Sequence, residues 1–242
     1  MKLKLSNPGE LSKAIDLISE LVTEVRIKLS DAGLSITAMD PANVAMVNFK
    51  IPKSSFVEFG LEEKEEDIGV NLDNLKRILK RCGTKSELTI EKNDNALLIN
   101  IQDKIKRKFS LALLDIDVEE KTPPTLEYTA VVEIPSVDLI SSIEDCAVIS
   151  DACSFIIDGG NFILESKELN SARSEFSNDE ANIKAEDCKS RYSLEYLQKF
   201  MKGAKLCEKT ILRFAEEHPL KVEFKTESLE INFILAPRVE TD

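Results

Sequence analysis

The second half of this 242-residue chain repeats the first. A shift of 122 residues carries Leu72, Leu75, Leu79 and Lys80 onto Leu194, Leu197, Met201 and Lys202, and carries Phe109, Leu111 and Leu113 onto Ile231, Phe233 and Leu235. A shift of 127 carries the turn Asp31-Ala32-Gly33 onto Asp158-Gly159-Gly160, a difference that small loop insertions absorb. Each copy must satisfy the same folding rules and is long enough to bury a core of its own. Two copies are too few for a stacked solenoid, so the repeat predicts two topologically equivalent domains.

Between the copies lies Leu114 to Tyr128, LDIDVEEKTPPTLEY. Four acids crowd Asp115 to Glu120, and Pro123-Pro124 removes two backbone donors and biases the preceding residues away from helix. This is an extended connector, which divides the chain into residues 1–114, a linker 115–128 and residues 129–242.

Within the first copy, Leu11, Ala14, Ile15, Leu17, Ile18, Leu21 and Val22 recur at helical spacing, predicting a helix over 9–24. Alternating segments at Val25 to Leu29, Leu34 to Ala38 and Val44 to Ile51 predict an antiparallel meander. The acidic run Glu62 to Asp67 reads as a solvated loop. A second helix is expected over Leu72 to Cys82, then strands at Glu87 to Glu91, Ala96 to Ile101 and Lys106 to Leu114. The second copy repeats this order: a strand at Val131 to Ile134, a helix opened by Pro135, strands flanking the turn at Asp158, a helix over Leu194 to Lys202 and three final strands. The fold class expected is α+β, each domain an antiparallel sheet with two helices on one face.

At about 100° per residue, Lys76, Arg77, Lys80 and Arg81 share one arc of the second helix, while Leu72, Leu75, Ile78, Leu79 and Cys82 fill the opposite side. The matching helix places Lys199 and Lys202 outward beside Gln198, with Lys205 just beyond and Glu195 interrupting the stripe. A cationic helix face is commonly just solvated. Its recurrence, in a chain of net charge -12 that as a whole repels nucleic acid and membranes, points instead to a local surface for phosphates. The other two helices differ: the first carries Lys13 among Asp16, Glu20 and Glu24, and the third carries Asp138, Glu144 and Asp145.

Catalytic signatures are absent: there is no phosphate-binding glycine loop, dinucleotide fingerprint, nucleophile elbow or zinc-protease helix. The single histidine, His218, precedes Pro219 in a glutamate-rich turn and reads as an exposed loop residue. Cys82, Cys146, Cys153, Cys188 and Cys207 are dispersed without metal-ligand spacing and read as plain thiols. No cofactor, no metal and no enzymatic activity are therefore expected. The N-terminus MKLKLSNPGEL lacks the apolar core of a secretory signal, and no apolar run is long enough to span a membrane. An intracellular protein is expected, in the cytoplasm or nucleoid of an archaeon or the nucleus of a eukaryote.

Four stretches of this chain closely resemble the sliding clamps of the proliferating cell nuclear antigen (PCNA) family, most of all its archaeal members. They are Leu34-Ser35-Ile36-Thr37-Ala38-Met39-Asp40-Pro41 with Val44, Gly69-Val70-Asn71-Leu72 entering the basic helix, Leu114 to Glu119 opening the connector, and Leu235-Ala236-Pro237-Arg238-Val239-Glu240. The resemblance runs over the whole chain. It implies a DNA clamp fold assembled as a homotrimeric ring, with helices lining a channel for duplex DNA, a processivity factor for replication and repair. It also implies loading by replication factor C and docking of DNA polymerase, flap endonuclease and DNA ligase through short motifs.

Carried onto this chain, the family's channel cations correspond to Lys13, Arg77, Lys80 and Lys202, to which the face analysis adds Lys76, Arg81, Lys199 and Lys205. Where relatives often carry arginines on the third helix, this chain has Ser141 and Glu144. The docking pocket corresponds to Met39, Val44, Met46, Pro124, Leu126, Ala236 and Pro237; without the resemblance, Met39 and Met46 would read as core. The family's subunit contact pairs the last strand of the first domain, here with Lys106, Arg107, Lys108, Phe109 and Leu111, with an edge strand near Arg173 and Glu175. Basic residues on one side would face Glu168, Glu175, Asp179 and Glu180 on the other. Two alternatives stand beside this: a subunit of a heterotrimeric or checkpoint clamp, and an acid-dependent metal hydrolase.

Overall fold

A computed structural model describes residues 1–116, 122 and 124–239. They fall into two compact units. One holds Met1–Pro41, the chain from Val47 to the connector and Glu227–Ile231; the other holds Ala42–Met46, Pro124–Thr226 and the C-terminal segment from Asn232.

The first copy runs β1 (Lys2–Leu5), α1 (Gly9–Ile18), β2 (Glu24–Ser30), β3 (Gly33–Met39), β4 (Ala45–Pro52), β5 (Glu58–Gly60), β6 (Glu65–Asn71), α2 (Leu72–Leu79), β7 (Glu87–Asn93), β8 (Ala96–Gln102) and β9 (Lys106–Ala112). The second runs β10 (Ala130–Pro135), α3 (Ser136–Ile149), β11 (Ala152–Asp158), β12 (Asn161–Lys167), β13 (Ser171–Phe176), β14 (Asn182–Ala185), β15 (Cys188–Ser193), α4 (Leu194–Ala204), β16 (Lys209–Phe214), β17 (Leu220–Lys225) and β18 (Glu230–Leu235). Strand order is β5-β1-β7-β8-β9 and β4-β3-β2-β6 in the first, and β14-β10-β16-β17-β18 and β13-β12-β11-β15 in the second. Adding nine to each strand number converts one pattern into the other, so the copies share topology strand for strand.

The α+β class and the duplication therefore hold, but each copy pairs its strands in two runs rather than one simple sheet. The hairpin spacing also differs from expectation. Ser30 pairs with Gly33 and Asp158 with Asn161, so the equivalent turns stand 128 residues apart rather than 127. Gly33 sits at φ 129°, and a Cβ there would meet the Ile51 carbonyl oxygen at 2.1 Å, so only glycine fits.

Other departures have local causes. Helix α1 stops at Ile18, because Glu20 and Leu21 donate to Leu17 and Ile18 at three-residue spacing and tighten the chain out of the helix. Leu21 and Val22 remain buried, which is why the apolar pattern runs on past the helix end. The acidic run is not wholly a loop: from Glu65 it is β6, paired with β2, and Glu66 is only 8% exposed. Its carboxylate accepts the Glu62 N–H at 2.8 Å and lies 3.8 Å from the Met1 ammonium, the compensation a buried charge requires. The Lys-Leu alternation of β1, read only as a terminus, is a strand between β5 and β7, with Leu3 and Leu5 inward.

Helix α2 is capped by Asn71, whose Oδ1 accepts the Asn74 N–H at 3.0 Å. It ends at Leu79, not Cys82. Arg81 and Cys82 donate to Ile78 and Leu79, so the last basic residues ride a tightened turn. Leu72, Leu75 and Leu79 are buried under it; Leu194, Leu197, Phe200 and Met201 play that part for α4. The first core is largely aliphatic. The second is aromatic, with Phe155 edge-on to Phe162, Tyr192 and Phe214, and Phe200 stacked on Phe233 at 4.3 Å.

The entry to the connector is pinned over Gly69. Leu114 N–H donates to the Gly69 carbonyl at 2.9 Å and the Arg26 guanidinium donates to the Ile116 carbonyl at 2.6 Å. A Cβ on Gly69 would lie 2.2 Å from the Leu114 carbonyl oxygen. Gly69→Ala is expected to lift this segment and destabilise the protein by roughly 1–3 kcal/mol, the usual cost of overpacking, as read by urea denaturation.

Candidate functional site

The cations of α2 do not stand alone. Burial of Leu72, Leu75 and Leu79 turns Lys76, Arg77 and Lys80 to the other side of the helix, where α1 packs alongside. Lys76 and Lys80 reach the same atom, Asp16 Oδ1 on α1, at 3.0 and 3.1 Å. Lys76 also donates to Ser19 Oγ at 3.0 Å, and that hydroxyl donates to the Asp16 carbonyl at 2.7 Å. Partial burial pushes the Asp16 carboxyl up, but hydrogen bonds and charge from the two lysines outweigh it and hold the group below its ordinary value. Arg77, Arg81 and Lys13 are exposed and have no ion-pair partner among the described residues.

On α4 the expected stripe is also partly occupied. Lys199 donates to Glu195 at 2.9 Å, one helical turn away, and lies 5.2 Å over the Tyr196 ring. Lys202 and Lys205 are exposed and flank a recess of about 240 Å³ between α4 and α3, floored by Ile140, Ile143 and Met201 with Glu144 at its edge. Helix α3 itself carries no lysine or arginine. Glu195, expected to interrupt the stripe, does so by pairing with Lys199, whereas Asp16, placed by the sequence only on the first helix near Lys13, is brought to Lys76 and Lys80 by tertiary packing alone.

The residues expected to form a docking pocket divide between the units. Met39, half-buried, ends β3 in the first. In the second, the Ala236 N–H donates to the Val44 carbonyl at 2.9 Å, tying the terminal segment beside Met46, which is buried at 5% exposure and serves as core. Leu126 and Pro237 are half-buried and Pro124 exposed. Arg238 anchors the end of this segment: its N–H donates to the Arg191 carbonyl at 2.7 Å and its guanidinium lies 2.7 Å from Asp151. The connector acids from Asp117 to Glu120, Lys121 and Pro123 lie outside the described residues.

Strands β9 and β13 each end a sheet. On β9, Lys106 and Lys108 are exposed, Phe109 is half-buried and Leu111 is buried, so one side of the strand anchors it. Several of the charges expected to meet across a subunit boundary are already engaged in the chain, while Lys106 and Lys108 stay exposed. Arg107 binds Asp103 at 3.0 Å and the Arg81 carbonyl at 2.9 Å, Arg173 binds Glu165 and Glu175, Glu168 accepts from Ser150, and Glu180 accepts from Ser177. Besides exposed Lys106 and Lys108, the two edge strands carry backbone groups able to pair with a further strand.

His218 is not the exposed loop residue expected. It is half-buried, its ring edge-on to Tyr128 at 5.8 Å, and its carbonyl accepts the Tyr192 hydroxyl at 2.7 Å. Burial, with the Glu223 charge, pushes the Tyr128 hydroxyl up to about 12. Among the described residues no three His, Cys, Asp or Glu side chains gather in a group that could hold a metal. All five cysteines are free thiols; Cys146 and Cys153 face each other at 3.5 Å.

Residues 1–122 match the family described as proliferating cell nuclear antigen, N-terminal domain, and residues 122–239 match its C-terminal domain. The DNA polymerase sliding clamp of Thermococcus onnurineus is 33% identical over 238 residues, covering 96% of this chain and 95% of the relative. That of Methanothermobacter thermautotrophicus is 32% identical over 244 residues, covering 100% and 99%. Among solved structures, the proliferating cellular nuclear antigen of Entamoeba histolytica is similar with a TM-score of 0.91, at 25% identity over 98% of both chains. A PCNA2-PCNA3 complex from Sulfolobus tokodaii is similar with a TM-score of 0.88, at 25% identity, covering 99% of this chain and 100% of that one.

The Asp16 cluster has a defined acid response. Because its carboxyl is held low in the folded chain, the contribution of the pair is present above the unfolded value and is lost only as pH falls through the lowered one. Carbon-detected NMR is expected to place the Asp16 midpoint below the ordinary 3.8, and the double variant Lys76→Ala/Lys80→Ala to move it upward.

Proposed function

The chain belongs to the proliferating cell nuclear antigen family and is a DNA sliding clamp, and from that premise we propose that three copies close into a ring around duplex DNA. The observation that carries this reading is the match of both halves to the two family domains, combined with a duplicated topology that leaves β9 and β13 as sheet edges. Pairing β9 of one copy with β13 of the next would extend both sheets and hide two edges per subunit that otherwise invite disorderly association. The ring is a tether without catalytic activity. Its processivity comes from topology, since a closed ring leaves DNA only by opening or by running off an end.

The channel face in this reading comprises Lys13, Lys76, Arg77, Lys80, Arg81, Lys199, Lys202 and Lys205. Side chains that meet only phosphates carry no sequence information, which suits a carrier that must travel along any DNA. Their sparseness suits it too, because each firm phosphate contact would be a brake on sliding. The docking residues carried over from the family are Met39 in the first unit and Val44, Pro124, Leu126, Ala236 and Pro237 in the second, where Met46 is buried. Its partners are DNA polymerase, flap endonuclease and DNA ligase bearing short docking motifs, and replication factor C as the loader.

A second assembly reading has one observation in its favour: a similar solved structure is a complex of two different clamp chains. Light scattering decides between them. The homotrimer predicts a mass near three times 27.1 kDa for the purified chain, while a persistent monomer at micromolar concentration would mean that sister subunits complete the ring. Charge reversal of Lys80 and Lys202 together is expected to weaken loading or sliding on DNA with the trimer mass unchanged; unaffected loading would remove these helices from the DNA face.

A further inference from the structure

We propose that Asp16 is a built-in competitor for DNA phosphate: its carboxylate occupies Lys76 and Lys80 and so weakens the grip of the channel on the duplex. The proposal rests on the channel reading above. A phosphodiester oxygen and a carboxylate oxygen ask the same thing of an ammonium group, one short charge-assisted hydrogen bond. Asp16 Oδ1 already accepts from both lysines, and Ser19 Oγ takes a further donor of Lys76. Two cations and one anion leave a local charge near +1. An arriving phosphate must therefore share the lysines with Asp16 or displace it.

The surroundings fit competition rather than a rigid structural clamp. Asp16 and Lys80 side chains are 41% and 53% exposed, so the pair stands within reach of a ligand. Lys76, at 22%, is the more fixed member, steadied by Ser19. The other groups nearby leave the balance in place: Lys13 on α1 and Arg77 and Arg81 on the α2 side remain exposed cations with no ion-pair partner among the described residues. Those three would supply uncompeted attraction, while the Asp16 pair would supply attraction that yields easily. The second copy repeats the device in another form, with Glu195 holding Lys199 at 2.9 Å. In both copies a carboxylate engages a lysine of the proposed DNA face.

The test measures binding of the full-length protein to a fluorescent linear duplex over a salt series. Neutralising Asp16 without changing its shape, Asp16→Asn, is expected to tighten binding roughly threefold to tenfold at low salt. It should also steepen the log-log salt dependence by about one counterion or more, near 0.9 per phosphate newly neutralised. Asp16→Glu, which keeps the charge, should behave as the parent. The double variant Arg77→Ala/Arg81→Ala tests the channel reading separately, because neither arginine contacts Asp16. If that variant weakens binding while Asp16→Asn changes neither affinity nor slope, the competitor role is overturned and the channel stands. If neither variant changes binding, the channel assignment falls and the competitor role with it. Trimer mass and thermal melting confirm that each variant is folded, and Asp16→Ser replaces Asp16→Asn should the latter lose its melting transition.

Discussion

Burial of one face of each helix is the constraint on which the rest depends. Leu72, Leu75 and Leu79 on α2, and Leu194, Leu197, Phe200 and Met201 on α4, are withdrawn from water, at a gain of about 1.5–3 kcal/mol for each large apolar side chain. A helix has only one remaining side. The cations between those apolar positions are thereby turned outward, without any dedicated interaction to aim them. In the proposed ring, the side chains of the core would thus set where a phosphate can be met.

Outward cations are then moderated by neighbouring acids. A clamp must attract the duplex enough to be threaded by it and hold it too weakly to stall. Free lysines at every position would favour the first at the expense of the second, since each phosphate contact adds to a salt-sensitive but cumulative affinity. In the proposed channel, Asp16 beside Lys76 and Lys80 would leave a net positive charge and Glu195 would neutralise Lys199, making each of these contacts replaceable. A net charge of -12 over the whole chain would work in the same direction, confining attraction to the proposed helix faces.

Backbone pairing governs the other surfaces. Gly69 lets the chain leaving β9 lie against β6 through the Leu114 amide, so the connector departs from a fixed point. The Val44–Ala236 bond and the Arg238 contacts do likewise for the C-terminal segment beside Met46. With Arg107, Arg173, Glu168 and Glu180 all engaged inside the chain, β9 and β13 both present main-chain donors and acceptors. In the proposed ring, pairing of these edges would be directional and would set register, with exposed Lys106 and Lys108 adding a screened attraction.

Much of this was legible in the linear pattern. The duplication, the α+β class and the basic faces of α2 and α4 follow from residue types at fixed spacings, because helical and strand periodicities are local properties of the chain, while the sliding-clamp family came from the resemblance carried by residues 34–41, 69–72, 114–119 and 235–240. Boundaries that depend on neighbours were not. Helix α1 ends where its chain tightens under buried Leu21 and Val22, Glu66 joins a strand beside the Met1 ammonium, and His218 packs on Tyr128. The pairing of Asp16 with Lys76 and Lys80 belongs to the same class, since some sixty residues separate its members along the chain. Periodicity by itself determined which faces are apolar and which are charged. Only the packing of one element on another decided which of those charges is already answered, because an ion pair needs two groups within a few ångströms and sequence distance says nothing about that.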